Sequence, residues 1–403
     1  MKKLIVTAII LRLLISMFIF HPDIKTFNFQ ASFLRHGVFN IYSYLIDNKE
    51  TLPLKENFVY FPLTYLTLGS YQAVVAPLMG NDFDSWLSNA DSFGIVTDSN
   101  IFKYMLALKL PYLVLDMVVA FMLLKYFEDK KVGKRAFIFW LFNPFTIFII
   151  YAFANVDIYP VVLVLSSILL MKKGKSGFAA LMLGLAAGFK IYPLLFVPFL
   201  FVSGKSWKEK LKLATIPFGI FVAVSLPFLS LAFLESTLIS GLTTRLFNPG
   251  INVGFGESII VGLMLLSALF FYSLLVDKKP NMFNYFLTTL LVIFAFSHFH
   301  VAWLLWIAPF LVIVAAKESK LSGIVFMLSI AAILIPLLYQ DRSMSISLFR
   351  IYSTWFDLLP TPFTAIQKFF DPYSLQSILH SLFAGGAGIL VYKLFRENSL
   401  EKK

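Results

Sequence analysis

Residues 136 to 171 read AFIFWLFNPFTIFIIYAFANVDIYPVVLVLSSILLM, and the only charged side chain among them is Asp157. Lys134 and Arg135 precede the stretch, and Lys172 and Lys173 follow it. An α-helix rises about 1.5 Å per residue, so about 20 apolar residues cover a hydrocarbon core of about 30 Å. The stretch therefore reads as two crossings, 136 to 153 and 156 to 171, which turn at Asn155-Val156-Asp157 and return to the side they left. Outward from it the pattern repeats, with apolar runs at 4 to 20, 104 to 124, 211 to 233, 258 to 276, 282 to 297, 300 to 315, 321 to 339 and 376 to 395. The whole chain of 403 residues is 59% apolar and 14% charged, with a mean hydropathy of +0.81, more apolar surface than a soluble domain can enclose. The fold class is an all-α polytopic membrane protein of about 10 to 13 transmembrane helices, with a long loop after the first.

The absence of cysteine excludes a disulfide framework, thiolate-bound zinc, iron–sulfur clusters and a thiol nucleophile. The net charge of +12 suits loops facing anionic lipid and does not call for nucleic acid. Lys and Arg collect at Lys2-Lys3, Lys130 to Arg135, Lys172 to Lys175, Lys205 to Lys212, Lys278-Lys279, Lys317 to Lys320 and from Lys393 onward. Basic loops stay cytoplasmic, which leaves residues 21 to 103, 154 to 157, 234 to 257, 298 to 300 and 340 to 375 on the outer side. The N-terminal run has the charged start of a signal peptide but no small-x-small cleavage site, and it carries Arg12, so it reads as a retained first span. Phe27 to Leu45 is too short and mixed for a span and reads as an interfacial helix pair.

Two apolar segments disturb this parity. Phe58 to Leu78 is interrupted by Pro62, Gly69 and Pro77, and Ser176 to Val202 holds Lys190, Pro193 and Pro198 between two basic loops. Each is expected to be a hairpin or re-entrant pair; the alternative for the second is one long tilted helix. With about 13 residues per arm, a hairpin at 176 to 202 carries Lys190 about 20 Å, past the midplane and toward the outer face. A Lys there needs Asp116, Asp157 or a bound phosphate as partner.

Sorted this way, Asp23, Asp157, His298 and His300 all reach the outer side, with Arg245, Arg342 and Arg350 as further cations there. Ionisable groups at a membrane edge are costly and are seldom without a partner or a task, although every loop carries some polar residues. Packing explains Arg12, the 46 Phe and the small residues Gly184, Ala186, Ala187 and Gly188 at least as well as chemistry does.

Several motifs together carry a resemblance: Asp23 ending the first span, Phe33-Leu34-Arg35-His36-Gly37 with Ile41-Tyr42, Val59-Tyr60-Phe61-Pro62-Leu63, Phe139-Trp140-Leu141-Phe142-Asn143-Pro144, Asn155-Val156-Asp157, and Gly184 to Pro193. In this order they resemble the catalytic subunit of GPI mannosyltransferase I and related bacterial mannosyltransferases of the GT-C superfamily. The likeness covers residues 20 to 200 and thins afterwards to Ser297-His298-Phe299-His300 and Trp303 to Pro309. It implies an inverting glycosyltransferase that moves a hexose, mannose first, from a polyprenyl-phosphate donor to a lipid or cell-surface glycan acceptor, on the extracytoplasmic side of the plasma membrane. Asp23 occupies the position of the catalytic base. Tyr60, Asp157, Lys190, Arg245, His298 and His300 are the expected substrate-binding residues. The eukaryotic relatives carry a second Asp two residues after the base where this chain has Lys25, so a divalent metal has no Asp-x-Asp pair here, no cofactor is assigned, and metal dependence stays open. The same likeness divides the chain into a catalytic module, 1 to 202, and a variable module, 203 to 403, that completes the cavity. The alternative is a polytopic lipid or solute transporter, against which stand the long outer loop and the lack of an internal repeat.

Overall fold

The computed structural model describes residues 1–89, 100–240, 244–276 and 280–400. The basic pair Lys278-Lys279, the acidic loop around Asp91 and Asp98, and the last three residues lie outside the described residues. The chain is an all-α polytopic membrane protein whose helices run between two ends of one bundle. Among the described residues, four helices are long and apolar enough to cross a membrane unaided: α6 (Asn100–Tyr126), α12 (Trp207–Ser225, continued to Phe228), α16 (Ser322–Leu337, preceded by the turn from Ser319) and α17 (Pro372–Leu400). Two further apolar helix pairs are bent: α1 (Lys2–Phe18) turns by 80° into α2 (Pro22–Ser32), and α7 (Lys130–Leu141) turns by 45° at Asn143-Pro144 into α8 (Pro144–Ile147) with its following π-helical turn. Shorter apolar helices complete the bundle: α9 (Ile158–Lys172), α10 (Ser176–Ala187), α11 (Val197–Ser203, with the preceding turn from Tyr192), α13 (Val261–Leu275), α14 (Met282–Phe296) and α15 (Leu304–Lys317).

The loops sort by charge as the sequence suggests. Tyr126, Lys172, Ser203, Asn281, Lys317 and Leu394 line one cavity of about 490 Å³, so the basic ends of α6, α9, α11, α14, α15 and α17 meet at one end of the bundle. The residues after α1, before α9, after α14 and after α16 meet at the other.

Between α9 and α12 the chain makes the expected hairpin. Ser176 Oγ donates to Glu209 Oε1 at 3.1 Å, Gly177 lies beside Lys212, and Gly184 lies against Pro217 and Ile220, so α10 runs parallel to α12. Only a reversal at Gly188 to Ile191 lets α11 return to the start of α12. Gly188 lets Leu63 pack closely at this tip, since a Cβ there would come 2.6 Å from Leu63 Cδ1, while Leu63 N–H donates to Gly188 O at 3.0 Å.

The segment 58 to 78 corrects the expectation. It is one helix, α4 (Pro62–Met79), and no hairpin. Gln72 Nε2 donates to Asn28 O at 2.6 Å, and Gly69 packs on Ala31 and Leu34, so α4 lies antiparallel to α2. Since α2 stands at 80° to the first span, both helices lie across the end of the bundle. Thr64, Thr67, Ser70 and Gln72 make this helix too polar for a span. Parity is preserved because the segment never crosses. Alongside them sit α3 (Ile41–Asp47) and α5 (Asp82–Ser88), whose Asp84 pairs with Arg35. A small antiparallel ribbon, β1 (Gly250–Gly254) and β2 (Glu257–Ile260), is the one departure from an all-α chain among the described residues.

Inside the bundle, Arg12 and Asp116 are fully buried and pair with each other, and Asp116 also accepts from Trp140 Nε1 and, at 2.7 Å, from Tyr151 OH. Asp116 is thus not the partner of Lys190. A charge placed in hydrocarbon is tolerated here because its partner and its hydrogen bonds come with it.

Candidate active site

The approach to Asp23 is built at the C-terminus of α1. Carbonyls left open at a helix end attract a cation. Lys109 of α6 supplies it: its Nζ donates to Ser16 O at 3.1 Å, Ile19 O at 2.7 Å and Tyr151 O at 2.7 Å. Pro22 then opens α2, and His21 caps it, its Nδ1 accepting from Asp23 N–H at 3.2 Å. That bond leaves the proton on Nε2, so His21 is a neutral cap although its Nδ1 lies 3.6 Å from Asp23 Oδ1. Burial holds its pKa down to about 3. Asp23 lands in the first turn of α2, where the helix dipole favours a carboxylate, and about 30% of its side chain remains accessible.

The second carboxylate is prepared by a turn. Ala154 adopts φ +52°, Asn155 Oδ1 accepts from Asp157 N–H at 2.9 Å, and Asp157 is carried fully buried to the head of α9. Lys190, at the hairpin tip, approaches both of its oxygens at 3.0 and 3.1 Å. The ammonium also lies over the rings of Tyr60 at 4.8 Å, Trp306 at 5.3 Å and Trp303 at 5.8 Å, which together form an aromatic box for the cation. Tyr192 stacks on Trp306 at 4.0 Å, and the Tyr60 hydroxyl is held by Asn155 between Asp157 and Asp23.

The segment between α14 and α15 divides its two histidines. His298 and His300 flank the buried Phe299 and meet different partners. His300 caps the next turn through Nδ1, which accepts from Ala302 N–H at 3.2 Å, and its charge couples to Asp23 and Lys190. His298 instead stacks on Tyr339 at 4.4 Å, and its carbonyl accepts from Arg245 Nη1 at 3.2 Å. Arg245 lies over Trp303 at 5.9 Å, at the rim. Arg342 and Arg350 do not converge on the site: Arg342 donates to the carbonyls of Asp357 and Leu359, and Arg350 pairs with Asp357 at 2.7 Å, so both organise the 342 to 359 loop.

These neighbours tune Asp23. Loss of water pushes its pKa up to about 6, His300 and Lys190 pull it down, and Asp341 and Glu56 push it up. Burial lowers His300 to about 4. Burial also raises Asp157, against the pull of Lys190. At neutral pH the arrangement holds an accessible, mostly ionised carboxylate beside two neutral imidazoles and a closed Asp157–Lys190 pair. A base whose pKa lies near the working pH combines availability with driving force.

Lys109 and Asp341 join the site without any signal in the sequence. Asn155, Trp303 and Trp306 stand inside the motifs quoted above, although the sequence assigns none of them a place in the site. Among the described residues no group of three His, Asp or Glu side chains stands ready to hold a metal ion. The family model of glycosyltransferase family 87 matches residues 101–308. No curated protein matches the chain.

Proposed function

The chain belongs to glycosyltransferase family 87, and from that premise we propose that it is an inverting hexosyltransferase of the GT-C type, drawing its sugar, mannose first, from a polyprenyl-phosphate donor. The observation that carries the reading is Asp23 itself, a part-exposed carboxylate with its pKa lifted to about 6, at the end of the bundle opposite the basic loops. Asp23 removes the proton of the acceptor hydroxyl while the acceptor oxygen bonds to the anomeric carbon, and the bond from that carbon to the phosphate oxygen breaks on the opposite face. The departing lipid phosphate gains negative charge, which cationic donors stabilise. Arg245, free of any carboxylate partner in the contacts described above, is the phosphate ligand. Lys190 keeps 18% of its side chain accessible, and with Asp157, Tyr60 and His300 it lines the sugar subsite. His298 shapes the rim through Tyr339.

A lipid-borne donor is supported by an apolar groove of about 640 Å³ between α7–α8 and α15–α16, which reaches from Ser322 to Ile149 and Leu304, one residue from Trp303. The acceptor is a lipid or cell-surface glycan, and the site faces outward from the plasma membrane, because the basic loops belong on the cytoplasmic side. Residues 1 to 202 form the catalytic module and 203 to 403 complete the cavity. The transporter alternative has no comparable support. The test is transfer of radiolabelled sugar from polyprenyl phosphate by purified protein: Asp23→Asn should lower the rate by about 10² or more, the usual worth of general base catalysis. Normal transfer by the well-folded variant, or direct turnover of a nucleotide sugar without polyprenyl phosphate, eliminates the reading.

A further inference from the structure

The β1–β2 ribbon has a feature that the chemistry above does not use. In its sequence, Gly250-Ile251-Asn252-Val253-Gly254-Phe255, apolar residues alternate with small or polar ones; Ile251 pairs across the ribbon with Ile259 on one face, and Val253 sits in the bulge between Asn252 and Gly254. Ile251 and Val253 are each more than half exposed, and Phe255 at the tip is fully exposed. The tip holds Phe255 at φ +51° between Gly254 and Gly256, both also at positive φ; a bulky residue in that region is unfavourable, so the turn itself gives no reason for Phe. A lone two-stranded ribbon is only marginally stable in water, and these strands lean chiefly on each other.

Continuity identifies what covers that face. Val261 N–H donates to Pro249 O at 3.1 Å, and Ile260, the last strand residue, caps α13. This helix presents Leu263, Met264, Phe271 and Leu275 outward, as a span bounded by lipid does. With 15 residues α13 rises only about 22 Å, short of the roughly 30 Å core. The ribbon therefore begins where the helix leaves the core incompletely covered. Its open strand edges keep it at the interface, where water and headgroups can satisfy them. Only one residue of 250 to 260, Glu257, is charged.

We propose that the ribbon lies in the membrane surface with Ile251, Val253, Phe255 and Ile259 seated in the boundary between headgroups and acyl chains, beside Arg245 and the mouth of the site. The depth of such burial is about 5–10 Å for interfacial elements. The chain has no cysteine, so a single Cys can be labelled without background. An environment-sensitive fluorophore is placed at Phe255→Cys and, on the other face, at Ser258→Cys, in the full-length protein in phosphatidylcholine–phosphatidylglycerol vesicles. The label at 255 should emit to the blue of that at 258, be quenched by nitroxides on the upper acyl chain and resist aqueous iodide, while the label at 258 shows the reverse. Equal iodide quenching at both positions overturns the proposal. So does a blue shift at 255 that persists in lipid-free detergent and grows with protein concentration, which would assign the face to a second copy of the chain.

Discussion

Lowering the pH from 7 to 5 should reduce kcat/KM for sugar transfer about tenfold, through protonation of Asp23. With a pKa of about 6, the carboxylate is ~90% ionised at pH 7 and ~10% at pH 5, whereas an unperturbed Asp would lose less than ~10% of its ionised form over the same range. His300 at about 4 and His21 at about 3 stay neutral across the window and add no limb of their own. The source of the shift can be tested separately. Asp341 pushes the Asp23 pKa up, so Asp341→Asn, which keeps the cap on Ser343, should move the midpoint to lower pH. The same shift has a thermodynamic face: a carboxylate whose folded pKa lies above its unfolded value lowers stability as pH rises between the two. Asp23→Asn should therefore melt at the wild-type temperature below pH 4 and at or above it beyond pH 6, while losing activity throughout. The assay is initial-rate transfer from polyprenyl-phosphate sugar in detergent across pH 4.5 to 8, with melting of the same samples. A midpoint near 4, or an unmoved midpoint in Asp341→Asn, would refute the reasoning.

Removing one partner of the pair at the hairpin tip should be far worse than removing both. Lys190→Met strands the fully buried Asp157 and should destabilise by about 3–5 kcal/mol, and adding Asp157→Asn should restore most of the melting temperature. Arg12→Met should cost a similar ~3–5 kcal/mol, seen as a drop in detergent melting temperature, because the buried Asp116 keeps only the neutral donors Trp140 and Tyr151. Single cysteines at Lys175, Lys208 and Leu358, all exposed, should divide by side: an impermeant thiol reagent on intact cells should label position 358 and spare 175 and 208. Labelling of 208 without 175 would place the two ends of the hairpin on opposite sides.

Much of this protein is legible in one dimension because a membrane sorts residues locally. Each run of about 20 residues partitions by its own hydropathy, and each Lys or Arg cluster by its own charge, so the helical class and the gathering of basic loops at one end follow without knowledge of packing. The hairpin at 176 to 202 was legible on the same grounds, since two basic flanks require an even number of crossings. The segment 58 to 78 reads as a hairpin because Pro62, Gly69 and Pro77 interrupt it, and the sequence alone does not say that it folds as one helix lying flat. The 80° turn after α1 and the docking of Gln72 on Asn28 decide that, and both are tertiary. The same division holds at the site. The sequence places Asp23, Asp157, Lys190 and His300 at one end of the bundle, but it cannot say which charges meet. Packing assigns Asp116 to Arg12 and Asp157 to Lys190, turns His298 onto Tyr339, and brings Asp341 near Asp23 from more than 300 residues away. Electrostatic energy depends on distance and on lost water, and neither exists until the helices have packed.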